Sequence, residues 1–193
     1  MRRSRSAAKS PIHNPQSPMH LILIGYRATG KTTLARLLGE RLRLRAVDTD
    51  PLIEQKAGKT IAEIFAEDGE PVFRDYESQV IAELLHGETL VIATGGGLPV
   101  RKENRELLKQ HGHVVWLKAS PETIHHRMSG DPGTEQTRPQ LTNLPPLDEI
   151  EHVLNARNPI YAEIADLEID TETKPLPDLA EQIIRWYREM KNE

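Results

Sequence analysis

The chain has 193 residues, of which 37% are hydrophobic and 28% charged, and it contains no cysteine. This length suits one α/β domain, no apolar run approaches the roughly 18 residues of a membrane helix, and disulfides, thiolate zinc sites and cysteine nucleophiles are excluded. The net charge is −4, but residues 1–18 carry four positive charges and no acid, so the remainder sums to −8. A domain this acidic argues against nucleic-acid binding.

The basic head, residues 1–18, is rich in Ser and Pro and shows no hydrophobic periodicity. It predicts a disordered tail ahead of a single domain over residues 19–193. An arginine- and serine-rich start without acids is also typical of transit peptides. No amphipathic apolar face is visible, so we favour the tail and expect a cytoplasmic protein.

The rest of the chain alternates between two kinds of pattern. Short apolar runs predict strands over residues 21–24, 45–48, 90–93, 114–117 and 167–170. Apolar stripes and cap residues predict helices starting near residues 31, 51, 61, 71, 101, 121, 148 and 178. Residues 129–147 are polar and contain four prolines, which predicts a mobile lid-like loop. The alternation predicts an α/β, doubly wound, mainly parallel sheet with helices on both faces, whose ligands lie beyond the carboxyl ends of the strands.

Residues 25–32 match the phosphate-loop pattern G-x-x-x-x-G-K-[ST] in full. Glycines let backbone amides turn inward around a phosphate, and the following helix start adds partial positive charge. An ordinary glycine-rich turn is the alternative, but the predicted strand before it and helix after it favour a site for ATP and Mg²⁺. In this pattern Lys31 neutralises phosphate oxygens and Thr32 is a magnesium ligand. We predict that the nucleotide contacts Ala28, Thr29, Gly30, Lys31, Thr32 and Thr33.

Magnesium requires further oxygen ligands. The strand over residues 90–93 ends in Thr94 and three glycines, and so offers no carboxylate. The nearest acids at a strand end are Asp48 and Asp50. Alternate residues of an extended segment point the same way, so we expect Asp48 to face the metal and Asp50 to face the acceptor. The alternative is that Asp50 only caps a helix starting at Pro51.

Three arginines are candidate ligand-binding residues. Arg157 lies on the apolar stripe of its helix, where a charge is costly unless it is paired with an internal acid or an anionic ligand. Arg74 precedes Glu77 by three residues, either as an exposed ion pair or as an arginine that Glu77 orients toward a ligand. Arg138, in the predicted mobile loop, is either a solvated charge or a lid arginine that closes over the phosphates.

In chain order these pieces resemble the shikimate kinases, from about residue 20 to the end of the final helix. The resemblance is carried by the phosphate loop, Asp48-Thr49-Asp50, Phe73-Arg74-x-x-Glu77, Thr94-Gly95-Gly96-Gly97, Arg138-Pro139 and Arg157-Asn158-Pro159-x-Tyr161. It implies that ATP phosphorylates the 3-hydroxyl of shikimate, on the route to the aromatic amino acids.

The resemblance also implies residue roles. Its acceptor-binding residues are Asp50, Arg74, Gly96 and Arg157, the arginines gripping the carboxylate and Asp50 taking the hydroxyl proton. Its catalytic residues are Asp50, Lys31 and Arg138, and Thr32 and Asp48 surround the magnesium. The chain departs from the family in three places: Ala28 replaces a usual glycine, the lid reads Arg-Pro-Gln-Leu rather than Arg-Pro-Leu-Leu, and the segment over residues 129–137 is long.

Two other functions compete with this one. A related kinase acting on gluconate or a nucleotide shares the phosphate loop, although two arginines aimed at a carboxylate disfavour a nucleoside acceptor. A non-catalytic nucleotide-binding regulator is the alternative from another class, but the guanine-binding pattern Asn-Lys-x-Asp does not occur. No exposed apolar helix is evident, so we expect a monomer.

Overall fold

The computed structural model describes residues 18–130 and 144–191, and in this part of the chain five strands form one sheet. The strands are β1 (His20–Ile24), β2 (Arg45–Asp48), β3 (Leu90–Ala93), β4 (Gly112–Lys118) and β5 (Leu167–Asp170). They lie in the order β2-β3-β1-β4-β5, and every neighbouring pair is parallel. The predicted doubly wound, parallel architecture is therefore confirmed.

Helices cover both faces of this sheet. They are α1 (Lys31–Leu42), α2 (Thr49–Ala57), α3 (Ile61–Glu63), α4 (Glu70–Leu84), α5 (Lys102–His111), α6 (Pro121–Ser129), α7 (Pro146–Ile164) and α8 (Leu176–Lys191). A π-helical turn (Ile64–Asp68) continues α3, and a 3-10 turn (Leu98–Val100) precedes α5. None of the described helices has the length and apolar character needed to span a membrane.

The alternation of side chains along β1 divides the core into two layers. Leu21 and Leu23 pack with α1 and α8 on one face of the sheet. Ile22 and Ile24 pack with α4, α5 and α7 on the other. All five residues of β1 are buried, as expected for the central strand of a parallel sheet. Burial on both faces explains why such short apolar runs predicted strands correctly.

Local capping chemistry sets several helix starts. The predicted capping box is present: the Glu63 amide donates to Thr60 Oγ1 at 3.2 Å, and the Thr60 amide donates to the Glu63 carboxylate at 2.7 Å. Ser120 likewise caps α6 by accepting from the Thr123 amide at 3.2 Å. These side chains satisfy amides that have no partner within the helix.

Three predicted helix starts are wrong by two residues, and one of them is that of α8, which begins at Leu176 rather than at residue 178. α2 begins at Thr49 rather than at Pro51, because Asp48 is its N-cap. α7 begins at Pro146 rather than at residue 148, and Ser129 belongs to α6. Proline fits the first helical position because the amide it lacks has no partner there. The ends of the predicted loop over residues 129–147 are therefore helical, while residues 131–143, like the tail before residue 18, lie outside the described residues.

A buried histidine stands at the start of β1. The side chain of His20 is fully buried, and its Nδ1 accepts a hydrogen bond from the Leu90 amide at 3.1 Å. Its Nε2 lies 3.4 Å from the Leu85 carbonyl oxygen. Burial lowers the pKa of His20 below its ordinary value of 6.5, although the Leu85 carbonyl acts in the opposite direction. The ring is therefore neutral, with its proton on Nε2.

We expect stability to fall as the pH drops below 6.5. The lowered pKa of His20 means that the unfolded chain takes up protons there more readily than the folded one. The contribution of His20 is complete above pH 6.5 and is lost as pH falls through its folded-state pKa. Urea unfolding between pH 8 and pH 5 measures this.

The variant His20→Asn is the matched control. Its amide oxygen can accept from the Leu90 amide without titrating, so its stability should depend less steeply on pH. A residual slope is expected from His113, whose pKa burial also lowers. Equal slopes in the two proteins would contradict the role of His20.

Candidate active site

The candidate site lies beyond the carboxyl ends of three adjacent strands. The phosphate loop follows β1, and the Asp48-Thr49-Asp50 segment begins at the last residue of β2. After β3 come Thr94 and then three glycines. Because β2, β3 and β1 are neighbours in the sheet, these segments meet at one edge. Thr49 Oγ1 ties two of them together by accepting from the Gly95 amide at 2.9 Å.

Two glycines of the phosphate loop have positive φ angles. Gly25 has a φ of 138°, and a Cβ there would lie 2.4 Å from the Leu117 carbonyl oxygen. Gly30, with a φ of 89°, is the N-cap of α1. Neither conformation suits an L-amino acid, so the loop depends on glycine at both positions.

Ala28 also has a positive φ, of 60°. This left-handed conformation costs an alanine about 1–2 kcal/mol relative to the right-handed one. The departure from glycine noted in the sequence thus lies at a position where glycine is favoured. The chain keeps the loop conformation at the expense of strain.

We expect Ala28→Gly to stabilise the fold by about 0.5–1 kcal/mol, since relief of strain exceeds the entropy that glycine adds to the unfolded chain. Thermal and urea unfolding measure the difference. Ala35→Gly, within the right-handed helix α1, is the control and should destabilise instead. A loss of stability in Ala28→Gly would show that Ala28 is not strained.

Arg127 holds the phosphate loop by a hydrogen bond to its backbone, and the sequence analysis did not identify this residue. Its Nη1 donates to the Ala28 carbonyl at 3.3 Å and to Thr171 Oγ1 at 3.0 Å, while Nη2 donates to the Thr171 carbonyl at 2.9 Å. Arg127 thus links the phosphate loop to the end of β5. In sequence it is one charged residue in the last turn of α6, with no signal separating it from a solvated one.

Lys31 folds back over the loop that precedes it. Its Nζ donates to the Tyr26 carbonyl at 2.6 Å, and the same oxygen accepts from Thr29 Oγ1 at 2.8 Å. The residue is only 9% exposed. The ammonium group is therefore held at the concave side of the loop. Thr33, also predicted to contact the nucleotide, is exposed on the surface of α1.

Thr32 and Asp48 form the candidate magnesium site. Thr32 Oγ1 donates to Asp48 Oδ2 at 2.5 Å, while Asp48 Oδ1 accepts from the Asp50 amide at 3.1 Å. Among the described residues, no group of three or more His, Asp or Glu side chains could hold a metal ion. A hydroxyl and one carboxylate fit Mg²⁺, which takes few protein ligands and fills its shell with water and phosphate oxygens.

The extended conformation assumed for the Asp48-Thr49-Asp50 segment is wrong. Thr49 and Asp50 are the first residues of α2, so they do not continue the extended strand, and the alternation argument does not apply. Asp48, rather than Asp50, is the capping residue. Asp50 lies half-buried in the first turn of α2.

Arg74 is held between two glutamates. Its Nη1 donates to Glu77 Oε2 and its Nη2 to Glu70 Oε1, each at 2.6 Å. The side chains of Arg74 and Glu77 are 11% and 1% exposed, so this is not the solvated pair considered above. Burial raises the pKa of Glu77, and the guanidinium groups of Arg74 and Arg157 offset part of that rise. For Arg74, burial is outweighed by Glu77 and Glu70, which raise its pKa.

Gly96 and Gly97 allow the arginines to approach the loop after β3. A Cβ on Gly97 would lie 2.0 Å from Arg74 Nη1. A Cβ on Gly96 would lie 3.0 Å from the Gly25 carbonyl oxygen and 3.7 Å from Arg157 Nη1. The Arg74 guanidinium therefore occupies the space left at Gly97, and Gly96 lies beside both Arg157 and the Gly25 carbonyl.

We expect Gly97→Ala to keep the loop backbone, because Gly97 is in the right-handed region, but to displace the Arg74 guanidinium, which lies where the new Cβ would be. If that guanidinium binds the acceptor, KM for the acceptor should rise about tenfold, or about 1.4 kcal/mol. Gly87→Ala is the control, since a Cβ there has only one neighbour, at 3.9 Å. Equal KM values in Gly97→Ala and the parent would remove Arg74 from acceptor binding.

Arg157 lies beside Tyr161 on α7. Tyr161 is fully buried, and its hydroxyl donates to the Gly96 carbonyl at 2.5 Å. Burial raises the pKa of Tyr161 to about 12, against the lowering effect of Arg157. The phenol therefore stays protonated and anchors the glycine loop. Arg157 is half-buried and close enough to Glu77 to lower the pKa of that carboxyl.

Arg138, the predicted lid arginine, lies outside the described residues.

Comparison with known proteins identifies the family. The family model for shikimate kinase matches residues 27–188. The shikimate kinase of Symbiobacterium thermophilum is 43% identical over 89% of this chain and 97% of its own length, and that of Rhodopirellula baltica is 42% identical over 87% and 90%. The solved structure of Acinetobacter baumannii shikimate kinase in complex with shikimate is 36% identical and superposes with a TM-score of 0.84, covering 91% of this chain and 96% of that one. The chain therefore belongs to the shikimate kinase family.

Proposed function

We propose that this chain transfers the terminal phosphoryl group of ATP to the 3-hydroxyl of shikimate. The observation that carries this proposal is the convergence of Arg74 and Arg157 on the glycine loop beside the phosphate loop. Paired guanidinium groups bind a carboxylate through several charge-assisted hydrogen bonds. An acceptor with a carboxylate at one end and a hydroxyl at the other would place its carboxylate on these arginines and its hydroxyl toward the phosphates.

On the nucleotide side, the backbone amides of the phosphate loop and the start of α1 bind the phosphate oxygens. Lys31 leaves the Tyr26 carbonyl to contact the β- and γ-phosphates, where it stabilises the charge that moves during transfer. The Thr32 hydroxyl and the Asp48 carboxylate would hold Mg²⁺, directly or through water. Bound there, the ion neutralises phosphate charge and orients the leaving group.

On the acceptor side, Asp50 is the group we assign to the 3-hydroxyl. Asp48 is engaged by both the Thr32 hydroxyl and the Asp50 amide, and Asp50 follows it in the first turn of α2, at the same edge of the sheet as the phosphate loop. A carboxylate that accepts a hydrogen bond from the attacking hydroxyl orients it and takes its proton as the new bond forms. Arg74, Arg157 and the Gly96 backbone fix the other end of the ring, and Arg138 would complete the charge around the phosphoryl group.

A coupled assay of ADP release tests the proposal against its two rivals. Parallel reactions contain shikimate, gluconate or no acceptor, each with ATP and Mg²⁺. We expect a rate above background with shikimate alone. Turnover of gluconate only would identify the related kinase, and no turnover with either acid would favour a nucleotide-binding regulator.

The remaining proposals concern the state of the enzyme. We propose a monomer in the cytoplasm, where ATP is available. Its support is that the large hydrophobic side chains exposed in the described residues, Val100, Leu144 and Met190, belong to three different segments. Light scattering coupled to size-exclusion chromatography measures the oligomeric state.

A further inference from the structure

A buried ion pair joins the phosphate loop to the helix that carries Arg157. Arg27 Nη2 lies 2.8 Å from Glu149 Oε1, and the two side chains are 12% and 3% exposed. Arg27 is the third residue of the phosphate loop, and Glu149 lies in the first turn of α7. They are 122 residues apart in the chain, so the contact is tertiary and left no local signal in the sequence.

Tyr26, the residue before Arg27, adds further contacts between the phosphate loop and α7. The Arg27 guanidinium lies 5.4 Å from the centre of the Tyr26 ring, and its Nε donates to the Tyr26 hydroxyl at 3.3 Å. The buried Tyr26 ring belongs to an apolar cluster with Ile150, Val153 and Leu154 of α7. Buried ion pairs are often no more stabilising than apolar contacts of the same size, so this pair invites a role beyond stability.

The backbone of Tyr26 contacts side chains of the phosphate loop. Its carbonyl oxygen accepts from both Lys31 Nζ and Thr29 Oγ1. A phosphate group that draws the ammonium of Lys31 toward itself weakens one of these bonds. The Tyr26–Arg27 segment would then lose one of its hydrogen bonds when a phosphate binds.

The segment can pass this difference to the acceptor site through α7. Arg157 follows Glu149 by eight residues, or about 12 Å along the helix axis. A second contact between α7 and the loops is the hydrogen bond from Tyr161 to Gly96, which packs against Gly25. Glu149 and Arg157 both lie in the part of α7 that precedes Pro159, so no proline interrupts the helix between them.

We propose that the Arg27–Glu149 pair is a positioning device through which phosphate binding sets the place of Arg157, so that bound nucleotide strengthens shikimate binding. This inference rests on the proposed function, because it takes shikimate as the ligand of Arg157. Arg27 and Glu149 act through α7, and are positioning residues for the acceptor.

Titration calorimetry with shikimate, in the presence and absence of the non-hydrolysable analogue AMP-PNP and Mg²⁺, tests the proposal. In the parent we expect the analogue to lower the Kd for shikimate about fivefold or more, the lower end of typical couplings between sites. In Glu149→Gln this ratio should fall to within twofold of one. The double variant Arg27→Gln/Glu149→Gln should lose no more coupling than either single variant, since the two side chains act as a unit.

Glu163→Gln is the matched control. It removes a charge of the same kind from the same helix, but Glu163 is 60% exposed and lies 3.5 Å from Arg105 on the surface. It should keep the parental ratio. If Glu149→Gln does not fold, Arg27→Lys retains the charge without the guanidinium fork and should reduce the ratio at least twofold.

Three results would overturn the inference. They are a parental ratio within twofold of one, an unchanged ratio in folded Glu149→Gln or Arg27→Lys, and an equal loss in Glu163→Gln. A parent that binds no shikimate even with AMP-PNP shows instead that the proposed function is wrong, and the inference fails with it.

Discussion

Replacing Asp50 by asparagine should lower kcat about a thousandfold, in the middle of the range that a general base contributes. Asparagine has the same shape but cannot accept the proton of the attacking hydroxyl. The dissociation constant for ATP should stay within about twofold of the parent, because Asp48 and Thr32 keep their mutual hydrogen bond. Single-turnover kinetics at saturating shikimate measure the chemical step, and nucleotide titration measures ATP binding.

Asp178→Asn is the control for this variant. Asp178 is exposed and lies in the first turn of α8, as Asp50 lies in the first turn of α2. The two substitutions therefore remove the same favourable interaction with a helix N-terminus. We expect Asp178→Asn to keep the parental kcat. If the two variants lost activity equally, the effect of Asp50 would be on its helix and not on the proton.

The position of Asp50 shows where sequence reasoning stopped. Pro51 suggested a helix start, because proline is common in the first turn. It stands instead at the third helical position, where the missing amide still costs nothing, since the first four amides of a helix have no intrahelical partner. The same proline therefore permits a start two residues earlier. Only the hydrogen bond from the Asp50 amide to Asp48 decides between them.

Features carried by neighbouring residues were predictable. The runs of β1 and β3 are apolar throughout because both faces of the sheet are covered, and the phosphate loop is a contiguous pattern between a strand and a helix. Ala28 drew attention in sequence, and its φ of 60° gives the physical reason. In these cases the residues that determine the structure are adjacent in the chain.

Features that depend on distant residues were not predictable. Arg74 was seen with Glu77, but its burial depends on Gly97, which has room for the guanidinium only because it lacks a side chain. Arg127 and the Arg27–Glu149 pair meet their partners across 44 to 122 residues. Charged residues at such separations resemble solvated ones until the fold brings them together.

Replacing Arg157 by alanine should raise KM for shikimate strongly. The expected loss of binding free energy is about 2–5 kcal/mol, the cost of removing one member of a desolvated charge pair. The guanidinium lies beside the Gly96 loop and near the buried Tyr161, and Arg157 is itself half-buried, so we expect a carboxylate bound there to lose part of its water shell. The expected change in kcat at saturating shikimate is smaller, because the proposed contact of Arg157 is with the end of the acceptor away from the reacting hydroxyl. Steady-state kinetics over a wide range of shikimate concentrations separate the two constants.

Two further variants sharpen the result. Arg157→Lys keeps the positive charge but cannot form the bidentate contact, so its KM should lie between those of the parent and Arg157→Ala. Arg188→Ala removes an exposed arginine from α8 and should leave both constants unchanged. A KM for shikimate in Arg157→Ala that matches the parent would show that Arg157 serves the buried Glu77 rather than the acceptor. In that event Arg157→Ala should instead lower the free energy of unfolding, because Glu77 would lose a neighbouring positive charge in a buried position.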